Sequence, residues 1–184
     1  MRSLNATRHL LATAVAVVAI GTMSARHAAA QDDDELRAIT ARVHGTFQDT
    51  NGGLGVVSGD LTIARFEVLS GSVTAIGRIA GAMADSSGNL LGRVDQELAF
   101  AVANVASTCN QLRMDLGATD ARILQAMVHF DMEVAGFDSR DGTTPKTRPV
   151  LCAAGGVLRG RPSADAVMRA LNDVVTALAS PPAR

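Results

Sequence analysis

The residues best suited to catalysis or metal binding lie on one predicted strand, where His129, Asp131 and Glu133 alternate with apolar side chains. Such alternation puts all three on one face of the strand, and Arg113 and Asp115 of a neighbouring strand should face them. The two carboxylates could hold a hard cation, and a histidine beside a carboxylate could transfer protons. We favour a plainer interpretation, a solvated strand face on which Arg113 pairs loosely with Asp131 or Glu133 for less than about 1 kcal/mol.

The first 30 residues have the order of a secretory signal peptide. Arg2 and Arg8 flank the start, an uncharged apolar run follows over residues 10–20, and three alanines at 28–30 precede an acidic cluster. The run of about 11 residues is shorter than the roughly 20 needed for a permanent membrane helix, which weakens the alternative of an uncleaved anchor. We therefore predict cleavage after residue 30, a mature chain that begins at Gln31, and a periplasmic or extracellular location.

Other catalytic signatures are missing from the sequence. The serines at Ser58 and Ser70 do not complete a G-x-S-x-G elbow, and the glycines of residues 52–55 match neither a dinucleotide-binding nor a Walker pattern. After cleavage only His44 and His129 remain, which argues against a multi-histidine metal site. We predict no catalytic residues, no metal and no cofactor, and a protein that is not an enzyme.

Composition narrows the range of partners. The chain is 47% hydrophobic and 19% charged, which is typical of a folded domain, and its few aromatic residues are all Phe, which leaves no stacking platform for single-stranded nucleic acid. Loss of residues 1–30 removes three arginines and no acid, so the mature chain is mildly acidic with Lys146 as its one lysine. These features argue against nucleic acid as a partner and against stable membrane insertion after cleavage.

The two cysteines, Cys109 and Cys152, both lie in the predicted mature chain. In an exported protein such a pair most simply forms one disulfide, which would contribute roughly 4 kcal/mol on a chain-entropy model. Two buried free thiols are the alternative. Because Cys109 shares the parity of polar strand residues, we expect it at a strand edge or bulge.

The elements that position these residues begin with β-strands. Residues 61–68 and 73–80 are rich in β-formers and flank a turn at 69–72, which predicts a hairpin. Period-two alternation predicts a third strand within residues 90–103, and residues 41–47 form another strand upstream.

The later half alternates more clearly. One apolar face is predicted for a single strand that contains Val128, Phe130, Met132 and Val134. Its partner is predicted at residues 110–116. Between them, residues 121–126 form either a helical turn with Asp120 as its N-cap or a continued strand, and the pattern leaves both open.

Two helices should follow a polar loop over residues 138–148. Residues 150–158 predict a short buried helix, and Ser163 is a plausible N-cap for a second one. The second helix carries one apolar stripe: Val167, Met168, Leu171, Val174, Val175 and Leu178. Strands followed by helices predict one α+β domain over residues 31–180, an antiparallel sheet of hairpins or a meander with two C-terminal helices packed on it, and a tail at 181–184.

Three stretches resemble a family of small exported bacterial proteins of unassigned activity. Residues 59–66 and 71–77 are similar to its G-x-L-T-I-T-R-F hairpin and return strand, residues 109–134 to its C-x-x-L-x-L-x-L-G-P-L-D-L pattern, and residues 151–158 to its L-C-A-V-A-G-L-L segment. Residues 118–121 depart from the Pro-Leu-Asp-Leu of the second pattern. The resemblance implies export and a bridge between Cys109 and Cys152, and it brings no catalytic residues.

The expected function is therefore that of an exported, non-catalytic domain with a structural or interaction role and an unidentified protein partner. The alternative is a binder of a small apolar ligand between the sheet and the helices, because Ala- and Gly-rich elements leave interior room. A closed core would favour the first, and a continuous apolar cavity would favour the second.

Overall fold

A computed structural model describes residues 38–139 and 147–180. They form eight strands and two helices: β1 (Ile39–Gln48), β2 (Leu54–Leu69), β3 (Ser72–Ala84), β4 (Leu90–Ser107), β5 (Gln111–Leu116), β6 (Thr119–Ile123), β7 (Ala126–Phe130), β8 (Glu133–Asp138), α1 (Thr147–Leu158) and α2 (Ala164–Ala179). The predicted signal peptide, the start at Gln31 and the tail lie outside the described residues.

The strands make one antiparallel sheet that closes on itself. Its order is β2-β3-β4-β5-β8-β1-β7-β6, and β1 also pairs with β2 along its whole length. At its other edge β1 meets β8 at Thr40 and β7 at Gly45 and Thr46. The predicted α+β class, an antiparallel sheet followed by two C-terminal helices, is confirmed.

The hairpin of β2 and β3 shows why local sequence predicts this part of the fold. The two strands pair up to Leu69 and Ser72, and the residues between them, Ser70 and Gly71, have φ of +52° and +81°. A two-residue turn with positive φ at both positions matches the right-handed twist of its strands. Glycine at the second position makes this turn inexpensive.

A bulge in β2 prepares the docking of α2. The register between β2 and β3 shifts between Ile63 and Arg65, and the partner strand β1 ends its pairing at Ile63. Beyond that point, the Asn172 side chain on α2 accepts a hydrogen bond from the Phe66 amide at 2.8 Å and donates one to the Phe66 carbonyl at 2.9 Å. The side-chain amide thus takes the place of a neighbouring strand at this edge.

The core lies inside the closed sheet and beneath the helices. Phe100 and Phe130 meet edge to face, with ring centroids 5.9 Å apart. The predicted cap of α2 is confirmed, since the Ser163 side chain accepts a hydrogen bond from the Ala166 amide. The predicted apolar stripe is also present: Leu171, Val174 and Leu178 are buried, and Val167, Met168 and Val175 are partly buried.

The structure decides one question that the sequence left open and contradicts one prediction. Of the two alternatives for residues 121–126, the helical turn is absent: β6 and β7 form a hairpin around Leu124 and Gln125, and Asp120 is not an N-cap. The predicted single strand over residues 128–134 is wrong, because β7 ends at Phe130 and β8 begins at Glu133.

The break between β7 and β8 changes which side chains point inward. β7 pairs with β6 and β1, whereas β8 pairs with β5. The predicted pairing of residues 110–116 with this stretch is therefore correct only for β8. The buried set shifts from Val128 and Phe130 to Ala135, while Met132 and Val134 stay exposed. A two-residue connection outside the sheet resets the alternation that the sequence pattern extends across it.

Candidate functional site

The predicted polar cluster is divided between two places. The His129 Nδ1 atom lies 2.8 Å from the Asp120 Oδ1 atom on β6, and its Nε2 atom lies 3.8 Å from the Asp131 Oδ1 atom. All three side chains are more than half exposed. Water therefore competes for each contact, and the arrangement is that of a solvated strand face.

Glu133 is held elsewhere, against β1. Its Oε1 atom accepts a hydrogen bond from the His44 backbone amide at 3.2 Å and lies 3.5 Å from the His44 Nδ1 atom. Arg113, on β5, is paired in register with Gly136 of β8 and is exposed. The structure thus brings His129 and Asp131 together and leaves Glu133 and Arg113 in separate surroundings.

The described residues contain no candidate metal-binding site. Residues 38–139 and 147–180 contain no group of three His, Cys, Asp or Glu side chains that could hold a metal ion. His129 with its two aspartates fails because its partners lie on opposite sides of the ring and are open to solvent.

The cysteines form a disulfide that fastens α1 to the sheet. Cys109 lies in the turn between β4 and β5, outside both strands, so the predicted position at a strand edge or bulge is wrong. In the turn, the alternation of the strands no longer applies to this residue. Two further features bring α1 close to β4 there. The Ser107 hydroxyl donates a hydrogen bond to the Leu151 carbonyl at 3.1 Å. Gly155 packs so tightly that an added Cβ would lie 2.7 Å from the Ser107 carbonyl oxygen. A disulfide-bonded pair fits an oxidising environment.

One end of the closed sheet contains a cavity that no sequence pattern predicts. At this end, which we call the turn end, three connections meet: residues 49–53 between β1 and β2, residues 85–89 between β3 and β4, and residues 124–125 between β6 and β7. A half-open cavity of about 540 Å³ opens there. Its walls are Phe47, Gln48, Asp49, Thr50, Asn51, Met83, Asp85, Leu91, Leu124, Gln125 and Ala126.

Two aspartates shape the first two of these connections. Asp49 accepts hydrogen bonds from the amides of Asn51 and Gly53, both at 2.9 Å, and from the amide and hydroxyl of Ser86 in the next connection. Asp85 accepts in the same way from Ser87, at 2.9 Å, and from the amide and side chain of Asn89. Asp49 therefore joins the two connections, and Asp85 fixes the second one.

These hydrogen bonds keep both carboxylates ionised. The Ser86 hydroxyl and amide, followed by the Gly53 and Asn51 amides, lower the pKa of Asp49 from 3.8 to about 2. Asn89 does most to lower the pKa of Asp85, while the nearby charge of Asp49 acts in the opposite direction. The two negatively charged carboxylates therefore repel each other at the mouth of the cavity.

The apolar part of the turn end is unusually exposed. Phe47 and Met83 form a buried floor, whereas Leu91 and Leu124 on the rim are 51% and 52% exposed. Beside the rim, Leu54 and Leu90 are exposed by 71% and 67%. Leu91 and Leu124 line the same cavity, and an exposed apolar patch with polar residues at its border is typical of an interaction or ligand-binding site.

Leu124 has the least expected conformation of this group. Its φ is +53°, a region in which a branched side chain is strained, and it is the first of two residues that join β6 to β7. A Cβ on Gly92 would lie 3.0 Å from the Leu124 Cδ1 atom, so the leucine lies directly over a position without a side chain. The signal in the sequence was the presence of leucines beside three turns, where polar residues are usual.

Neither helix in the described part of the chain has the length and apolar character needed to cross a membrane. Comparison of the chain with protein-family models, with curated proteins and with solved structures finds no match in any of the three. The resemblance to small exported bacterial proteins therefore stays a prediction.

Proposed function

We propose that this protein is an exported, non-catalytic binding domain whose working surface is the turn end. The observation that carries the proposal is the half-open apolar cavity of about 540 Å³ with exposed leucines on its rim. Cavities of roughly 300–1,000 Å³ with mostly apolar walls and a few fixed polar groups are typical of ligand sites.

Export is part of the proposal. A signal peptide over residues 1–30 would direct the chain to the periplasm or the medium, and the disulfide between Cys109 and Cys152 is compatible with either destination. The resemblance to small exported proteins, which includes both cysteines, supports the same location.

A role without catalysis is supported by the positions of the candidate residues. His129, Asp131, Glu133 and Arg113 do not converge on a cleft, and the histidine faces its partners in open solvent. General acid–base catalysis needs such a group held against a bound substrate and shielded from water.

The position of the working surface is supported by the contrast with the sheet–helix interior. The inward residues of α1 and α2, such as Leu151, Leu171 and Val174, are fully buried. A small apolar ligand between the sheet and the helices would have to displace these side chains. At the turn end, the same kind of ligand would cover surface that is already open.

The test is isolation of the native exported protein followed by mass spectrometry of whatever co-purifies, with two variants for comparison. Leu91→Ser removes an apolar side chain from the rim, and Leu69→Ser removes one of similar exposure from the far end of β2. We expect a stoichiometric ligand or partner that is lost from Leu91→Ser and kept by Leu69→Ser. Retention by both variants would place the binding surface elsewhere, and His129-dependent turnover of a substrate would overturn the non-catalytic role.

N-terminal sequencing of the same material tests export. We expect the chain to begin at Gln31. A chain that still begins at Met1 in a membrane fraction would contradict it.

A further inference from the structure

The cavity at the turn end combines an apolar floor with charge of a single sign. Phe47 and Met83 lie at its base, Leu91 and Leu124 at its rim, and the connections with Asp49 and Asp85 form one wall. Its lining residues include no Arg, Lys or His. A bound molecule would meet hydrocarbon on one side and negative charge on the other.

In the part of the chain that the structure describes, the two carboxylates have hydrogen-bond donors but no basic partner. Every donor to Asp49 and Asp85 is a backbone amide, a serine hydroxyl or an asparagine amide, all of them neutral. No ion pair within residues 38–139 and 147–180 involves either aspartate.

Several carboxylates elsewhere in the described residues have an arginine partner, which Asp49 and Asp85 lack. On the outer face of the sheet Asp95 pairs with Arg78, Glu97 pairs with Arg65, and Asp60 lies 3.5 Å from Arg42. At the mouth of the cavity, two fixed negative charges with no basic side chain among the lining residues would attract a cation.

We propose that the cavity binds a small cationic amphiphile, a molecule with one aliphatic chain and an amine or ammonium head group. The chain would lie on Phe47 and Met83 and be covered by Leu91 and Leu124, and the head group would rest beside Asp49 and Asp85. This inference rests on the proposed function and adds the chemical class of the ligand to it.

A small molecule fits the shape better than a macromolecule does. The cavity is concave, surrounded by three connections, and its volume lies within the usual range for small-molecule sites. The Met83 side chain at its base is flexible and can adapt to chains of different length. The turn at Leu124, where φ is +53°, supplies one side of the wall.

The first experiment measures the affinity of the processed full-length protein for three probes with the same tail. Isothermal titration below the micelle concentration would compare dodecyltrimethylammonium, dodecyl maltoside and dodecyl sulfate. We expect one-to-one binding of the ammonium compound, about tenfold tighter than the neutral one, and weakest binding of the sulfate. Added salt should reduce the advantage of the ammonium compound, because the head group and the carboxylates meet near solvent.

Charge-matched variants separate the site from the general acidity of the protein. Asp85→Asn removes one charge and retains an oxygen that can accept from Ser87 and Asn89, whereas Asp60→Asn removes the same charge at a distant ion pair. We expect Asp85→Asn to lose most of the preference for the ammonium probe over the neutral one, and Asp60→Asn to keep it. Thermal unfolding of both variants verifies that they are folded.

Three outcomes would overturn the inference, and they differ from failure of the proposed function. Equal affinity for the neutral and ammonium probes would mean an apolar site without a charge requirement, which leaves the proposed function intact. Equal loss in the Asp85→Asn and Asp60→Asn variants would mean unspecific attraction to an acidic protein. If no amphiphile binds while a protein partner or a basic apolar peptide depends on Leu91, the turn end is a binding surface for a macromolecule.

Discussion

The two ends of the closed sheet differ in how their apolar side chains are covered. Where the helices pack, a disulfide, the amide of Asn172 and the buried stripe of α2 cover the apolar side chains. At the turn end, Asp49 and Asp85 accept hydrogen bonds from residues of the connections, and leucines beside these connections stay open to solvent. The difference teaches that buried side chains close the helix-covered end, whereas the turn end keeps apolar side chains open to a ligand.

The largest expected effect is removal of the disulfide. Replacing Cys109 and Cys152 together by Ser should lower the free energy of unfolding by roughly 4 kcal/mol, because the unfolded chain regains the freedom of a long loop. Denaturant unfolding measures the loss. Amphiphile binding at the turn end should persist below the new unfolding midpoint, and a selective loss of binding by the folded variant would show that the two ends are coupled.

Leu171→Ala should be the next most damaging change. Leu171 lies on the inward face of α2 and is fully buried, so truncation leaves a cavity and costs about 3 kcal/mol. The control is Leu69→Ala, an exposed leucine on β2 that should change stability by less than about 0.5 kcal/mol. Similar losses in both variants would contradict the assignment of Leu171 to the core that the helices cover.

Acid unfolding should reveal the hydrogen bonds of Asp49. Its pKa is lowered from 3.8 to about 2 in the folded state, so the stabilisation is complete above pH 4 and is lost as the pH falls towards 2. The wild type should therefore lose stability more steeply between pH 4 and 2 than Asp49→Asn does. Asp60→Asn, at a loose surface pair, should follow the wild-type curve in the same titration.

Leu124→Gly should separate stability from binding. Glycine accepts a φ of +53° without strain, and the lost leucine is exposed, so stability should stay unchanged or rise by up to about 1 kcal/mol. Binding of the ammonium probe should weaken, since one side of the cavity rim is removed. A marked drop in melting temperature would show that Leu124 contributes to the core and that the rim is structural.

The smallest effect is expected at His129. Its contacts with Asp120 and Asp131 are exposed, so His129→Ala should cost less than about 1 kcal/mol and leave probe binding unchanged. Chemical denaturation and titration with dodecyltrimethylammonium measure both quantities. Loss of a bound metal or of an activity on this substitution would point to chemistry on the β7 face instead of binding at the turn end.

Features that depend on neighbours along the chain could be predicted well from the sequence. The hairpin of β2 and β3 follows from β-forming residues around a Ser-Gly turn, and α2 follows from the cap at Ser163 and a period of 3.6. The order of strands before helices was sufficient for the fold class.

The path of residues 117–138 shows where local pattern stops being informative. Alternation continues across Asp131 and Met132, so the sequence indicates one strand, yet β7 and β8 belong to different neighbours. Which strand becomes a neighbour depends on closure of the whole sheet through β1, and that closure involves residues far apart in the sequence. The supposed cluster of His129 and Glu133 was divided for the same reason.

The sequence by itself determined the β2–β3 hairpin, the two helices and the order of strands before helices, because each follows from spacing or turn residues within neighbouring elements. The tertiary structure alone decided that leucines beside three separate turns meet around one cavity, and that Asp49 reaches the neighbouring connection at Ser86. A site assembled from three connections has no period and no motif. Its residues become neighbours only when the strands between them pair and the sheet closes.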